Sequence, residues 1–531
     1  MAYTAQEEFE RHSEIRGGEL IRYWGNAADV TVPDEVAIIA AGAFRGCRRL
    51  RNVTLGRQLT SIHDDAFADC TRLRQITFPT GLREIRERVF FGCLSLAGVS
   101  LPKTVYSIGR AAFRQCTALR TVILPASLAD LGGFAFAGCS ALEVLLPEGL
   151  DAIHRSTFFR CTSLRHIHIP ESVRSIGSNA FALCEVLTDI ALPDGVTYIG
   201  TGAFAGCIGL RSFRVPEHVR FLGNELFAGC RRLEQITLPA RLFRIGNHTF
   251  SACAALTAPE LPETLRHIGE SAFLGCAALD EIRLPDGTES VGAAAFAYCT
   301  GLARVTLGQS LTAIPMRSFL SCRALTAVTV PDPVRSIGDD AFSGCTSLAA
   351  VTLPAGLESI GDRAFSETAI DSVSFPHRLH RIGSYAFADC HRLATLIFPP
   401  AGCTVEKNAF AGCEGIELAV LPDRLPFARR RLEKWRLTPD ATLLRHADLR
   451  LASLLTEYAD PATDPDRRDA LYAEIRARVP QLRRHAPPAS ATDPAAEDSP
   501  PAESAGDQPP ASADPADTPA DSGTEQKSTA D

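Results

Sequence analysis

The chain has 531 residues, 46% apolar and 22% charged, with a formal net charge of −8, the balance of a soluble folded protein. The charge is uneven. Residues 486–531 hold ten acids and one lysine, a net of −9, and residues 423–485 hold fourteen bases and ten acids, a net of +4, which leaves −3 on the first 422 residues. A nearly neutral body gives no reason to expect a nucleic acid or a membrane surface as partner, and no apolar run approaches the ~20 residues that span a bilayer.

In chain order, the opening "MAYTAQEEFERHSEIRGGEL" is polar and lacks the basic start and apolar stretch of a secretion signal. A cytoplasmic location is therefore expected, with residues 1–33 as an N-terminal cap. Residues 34–422 then repeat. Cysteines stand at 47, 70, 93, 116, 139, 161, 184, 207, 230, 253, 276, 299, 322, 345, 390 and 413, at steps of 22 or 23 except for one double step, where Thr368 takes the place. Phenylalanine precedes every register by three residues, from Phe44 to Phe410, and Leu or Ile follows each of these cysteines by three. About 17 units of the form L-x-x-[IV]-x-[LVF]-P-x-x-[LV]-x-x-I-G-x-x-A-F-x-x-C result. A 20–29-residue period is that of leucine-rich repeats stacked into a solenoid, since no single unit can bury its own core.

Within "LAAVTLP" (348–354), Leu348, Val351 and Leu353 are expected to point inward and Thr352 outward, as in a half-buried strand. Pro354 ends the strand. "LESIGDRAF" (357–365) returns on the opposite side, with Gly361 allowing a tight turn or a close backbone approach. Equivalent strands should pair in parallel into one ladder of sixteen steps, on the order of 80 Å long.

Units such as "LRQITFPTGLREIRERVFFGC" (73–93) and "LTDIALPDGVTYIGTGAFAGC" (187–207) resemble the BspA-type leucine-rich repeat family across roughly residues 20–422. "GGELIRYWGNAADVTVPDEVAIIAAGAF" (17–44) is similar to the N-terminal entry of such proteins, a capping hairpin. The resemblance implies a β-rich solenoid with a parallel concave sheet. It also implies kinship with surface or secreted adhesins and host-binding factors.

The cysteines read as packing. A free cysteine behaves as a small buried hydrophobe, and a ladder spaced at ~4.8 Å suits neither a disulfide's ~3.8 Å Cβ separation nor a C-x₂-C zinc pair. No disulfide and no cofactor is expected. Cys403 lies off the register and is the one thiol singled out for reactivity.

Solenoids bind along the concave strand face. Its outward positions form a hydroxyl-rich track, including Thr54, Thr77, Thr237, Thr306, Thr329 and Thr352, with Ile397 and Val420 at its end. A mixed-charge patch interrupts the track at Arg165, His166, His168, Arg211, Arg214, Glu234, Glu260, Asp280, Glu281 and Arg283, and this patch is the candidate binding site. His166 and His168, with Asp189 one unit later, could hold a metal, but two histidines on a charged strand face read as solvated surface residues, so no metal site is assigned. Pro259 stands where Ile or Val belongs, and a local irregularity is expected there. No G-x-S-x-G, G-x-x-x-x-G-K-[ST], H-E-x-x-H or G-x-G-x-x-G occurs, so no catalytic residue is assigned.

After Pro422 the period is lost. Residues 426–437, 438–459 and 464–479 read as helices, the latter two capped by Thr438 and Asp464. This helical segment, 423–485, is expected to cover the open end of the array. Residues 486–531, acidic and rich in Pro and Ala, cannot bury enough apolar surface to order and read as a disordered tail. The chain is thus expected to be a monomeric, non-catalytic scaffold binding a protein partner along the concave face; the alternative is an exported adhesin released by a non-classical route.

Overall fold

The computed structural model describes residues 5–399, 403–421 and 442–445 and single positions between 454 and 475. Its repeating element is a turn of chain with two short strands and a tight bend through phenylalanine. In one unit the long strand Ala350–Thr352 buries Val351 between outward Ala350 and Thr352. It pairs in parallel and in register with Ala327–Thr329 of the preceding unit. Pro354 ends it, and Leu357 N donates to Pro354 O at 3.1 Å. The short strand Ser359–Ile360 then pairs with Ser336–Ile337, burying Ile360. Period-two burial on strands this short yields one inward side chain each, so a unit on its own has no core.

The bend is built by conformation. Asp340 and Gly344 both lie in the left-handed region, at φ 55° and 71°. This alternation aims every second amide along the stacking axis. Asp340, Phe342 and Gly344 donate to Asp362, Ala364 and Ser366 of the next unit at 2.7–2.8 Å, while Ala341, Ser343 and Cys345 donate within their own unit. Every unit repeats the pair of left-handed residues. Gly361, in contrast, serves close approach: a Cβ there would lie 2.6 Å from the backbone N of Asp339 one unit earlier.

The core is a column of phenylalanines. Rings from Phe44 to Phe410 stack nearly parallel, with centroids 4.7 Å apart at the tightest, Phe44–Phe67, and 5.9 Å at the widest, Phe136–Phe158, where the repeat is one residue short. Tyr23 and Phe9 continue the column beyond Phe44. They are carried by the antiparallel hairpin Ser13–Arg16/Glu19–Tyr23 and by the helix Ala5–Arg11.

Two expectations are corrected. The long strands do not form one ladder of sixteen steps but separate runs of two to four strands. A three-residue strand makes so few bonds that a small offset removes them all. Pro259 is buried in the inward slot, and no long strand forms between Gln235–Thr237 and Glu281–Arg283. The helix expected over 438–459 also begins later. Thr442–Arg445 is a strand, pairing in parallel with Leu418–Leu421, and helix is present at 454–455 and 457–458. The expected helix over 426–437 and the tail 486–531 lie outside the described residues.

Candidate interaction surface

Each candidate residue derives its direction from strand alternation. In "RSFRV", Phe213 is buried, which turns Ser212 and Arg214 outward. The same alternation turns His166, His168, Glu260 and Arg283 outward, with Glu281 half-buried, while Arg165, Arg211, Glu234 and Asp280 are exposed in the connection just before the strand positions. All ten lie on the long-strand face, on five of the six rungs between 165 and 283.

Much of their charge is matched rung to rung. Arg211 Nη1 meets Glu234 Oε1 at 2.8 Å, Arg214 Nη1 meets Asp194 Oδ1 at 3.1 Å, and Glu281 Oε2 accepts from Arg304 Nη2 at 2.8 Å. His168 Nε2 lies 3.7 Å from Glu148 Oε1. Such exposed pairs are worth ~0–1 kcal/mol each and are easily exchanged for a partner's charges. Arg165, Glu260, Asp280 and Arg283 form no ion pair among the described residues. His166 and Asp189 are joined by a parallel backbone bridge, and no group of three or more potential metal ligands occurs among the described residues. Beside the patch, Ile123 and Leu145 occupy outward positions at 58% and 80% exposure. An apolar step thus adjoins the charged rungs.

At the C-terminal end the same face is occupied. Ile397 and Val420, read as outward positions of the hydroxyl track, are buried against Leu455 and Ile475. The C-terminal segment therefore lies on the long-strand face at its last rungs, where apolar side chains replace threonine.

The cysteine ladder has a geometry that periodicity did not reveal. Each buried cysteine Sγ donates to the carbonyl of the phenylalanine one unit back, as Cys70 to Phe44 at 3.1 Å and Cys345 to Phe319 at 3.1 Å. Thr368 keeps a bond in the slot by donating to Phe365 O at 2.9 Å. Burial pushes the Cys184 and Cys230 thiols up to about 12. Cys403, singled out for reactivity, is packed against the core and pushed up to about 11 by burial, which disfavours the nucleophilic thiolate.

Stacked parallel turns, an inward phenylalanine and an inward leucine or isoleucine in every unit, and an outward strand face define a leucine-rich repeat solenoid. The family model described as a BspA-type leucine-rich repeat region of six copies matches residues 22–143, 83–211, 199–326 and 312–430. The chain belongs to the BspA-type leucine-rich repeat family, whose repeat proteins are generally non-catalytic. Among solved structures, it is similar to a leucine-rich repeat protein from Bacteroides ovatus, 25% identical, covering 81% of this chain and 94% of that one at a TM-score of 0.47. It is also similar to the T. pallidum leucine-rich repeat protein, 28% identical over 45% and 82% of the two chains, TM-score 0.21. A third is the pneumococcal vaccine antigen PcpA, 17% identical over 64% and 95%, TM-score 0.39. Comparison with curated proteins finds no match.

Proposed function

We propose that this chain is a non-catalytic, cytoplasmic, monomeric scaffold that binds a protein partner along the long-strand face, centred on residues 165–283. The observation that carries the reading is the break in the hydroxyl track. Threonine and serine suit a solvated strand without any ligand, whereas the charged rungs, flanked by exposed Ile123 and Leu145, have the charge-and-apolar mixture of an interface. The burial of Ile397 and Val420 under the chain's own C-terminal side chains supports it, since this face accepts packed protein. The test is a charge reversal, Arg214→Glu with Arg283→Glu. A partner recovered from the source cells and then purified should bind the variant about tenfold more weakly, a loss of ~1.4 kcal/mol. An unchanged affinity overturns the site. Fractionation of those cells checks the location: protein on the cell surface or in the medium would favour the exported adhesin.

A further inference from the structure

The short-strand face carries a strip unlike the rest of the molecule. The two residues ahead of each inward Ile or Leu read Thr197–Tyr198, Arg220–Phe221, Phe243–Arg244 and Arg266–His267 on four successive rungs. Tyr198, Phe221 and Phe243 are 57%, 56% and 41% exposed, so burial does not explain these rings. Phe221 and Phe243 meet edge to face with centroids 6.1 Å apart, and Phe243 meets His267 likewise at 5.2 Å. Arg220 and Arg244 alternate with the rings and have no ion pair or side-chain hydrogen bond among the described residues. Arg266 differs, its guanidinium donating to Glu263 O at 2.9 Å. Between the first and second rungs of the strip the sheet is open. No strand pairing joins Tyr198–Ile199 to Phe221–Leu222, although the rungs close again at Gly202 N, which donates to Asn224 O at 2.9 Å. A Cβ at Gly223 would stand 3.3 Å from the preceding rung, where one at Gly246 would stand 2.8 Å from it.

We propose that this strip binds an extended, acidic polypeptide segment carrying apolar side chains. Large rings on a rigid frame give contact area at low entropic cost, and aromatic and arginine side chains supply most binding energy at interfaces. The rings would take the segment's apolar groups, while Arg220 and Arg244, planar forks without intramolecular partners, would take its carboxylates bidentately. Charge complementarity favours a peptide over a nucleic acid. Asp194, Glu217 and Glu263 stand in the turns just before three of these rungs, and Arg241 before the other; two unpaired guanidiniums suit a few carboxylates, whereas a phosphate backbone, charged at every unit, would run past all three acids. The strip lies on the opposite sheet from the 165–283 patch and does not rest on its assignment.

The experiment is fluorescence anisotropy on the full chain with three labelled probes. These are a short Asp/Glu peptide with Leu or Phe at every third position, its Asn/Gln counterpart, and a short oligothymidylate. Saturable binding of the acidic peptide is expected, weakened at least tenfold by Arg220→Glu with Arg244→Glu and by Phe221→Ser with Phe243→Ser. Arg214→Glu with Arg283→Glu should leave it unchanged. All four strip side chains are exposed, and an unchanged thermal melt confirms folding of the variants. Absent acidic-peptide binding, equal binding of the Asn/Gln peptide, preference for the oligothymidylate, or indifference to both pairs of strip substitutions would each overturn the proposal.

Discussion

Cys345 illustrates how one residue is held. Its side chain is fully buried and its Sγ donates to Phe319 O. That carbonyl also accepts from Cys322 N at 3.2 Å, so removing the thiol leaves no orphaned acceptor. Cys345→Ala should therefore cost only about 1 kcal/mol, near the centre of ordinary substitutions; a urea midpoint shifted by several times that amount would mean the sulfur bond matters more. A second residue-scale effect is conformational. Ala252 sits at φ 59°, in the register that other units fill with Gly206, Gly229 or Gly275. A Cβ there costs ~1–2 kcal/mol, more than the ~0.5–1 kcal/mol of unfolded-state entropy that glycine adds. Ala252→Gly should raise stability by about 0.5–1 kcal/mol, and a thermal melt that falls instead would refute the strain.

At the scale of the element, the phenylalanine column couples neighbours. Phe227 lies 5.7 Å from both Phe204 and Phe250 and 4.8 Å from Phe213. Phe227→Ala should cost about 3–5 kcal/mol. Because each repeat contacts only its neighbours, the loss of amide-exchange protection should centre on 204–250 and fade within a few units. Uniform loss from Phe44 to Phe410 would show all-or-none folding instead. The column was legible from the invariant spacing of Phe44, Phe67 and their successors. The left-handed pairs were only partly legible: glycine fills the second position in about half of the units, but the first is taken mostly by Asp, Arg, Ala, Ser, Asn and other non-glycine residues. His166, His168, Arg214, Glu260, Glu281 and Arg283 were legible as outward positions from alternation, whereas Arg165, Arg211, Glu234 and Asp280 are exposed by the connection that precedes the strand. Tyr198, Phe221 and Phe243 carried a signal, aromatics in a usually polar register, but the meeting of Phe221 with Phe243 across rungs needed the pairing.

For the whole molecule, the thiol ladder implies alkaline sensitivity. Burial holds the Cys184 and Cys230 thiols near 12 and the Cys47 and Cys403 thiols near 11, against ~8.5 in an unfolded chain. Their folded pKa is raised, so the neutral form's contribution is fully present below ~8.5 and is lost as pH climbs towards 11–12. Above ~8.5 the unfolded state binds fewer protons, and each fully buried thiol removes ~1.4 kcal/mol per pH unit. The urea midpoint should be level from about pH 7 to 8 and fall steeply above about 9. With only four lysines, at 103, 407, 434 and 527, their titration cannot produce such a fall; equal midpoints at pH 7.5 and 10 would contradict it.

By itself the sequence determined the repeat, its family, the inward Phe, Cys and Leu and the outward strand positions, because a fixed 22–23-residue period with period-two strands leaves each residue one side to face. The tertiary structure alone decided where the ladder breaks, that Thr442–Arg445 returns to the sheet, and that Leu455 and Ile475 cover Ile397 and Val420. These depend on contacts between residues that are distant in sequence or out of register, which no local pattern encodes.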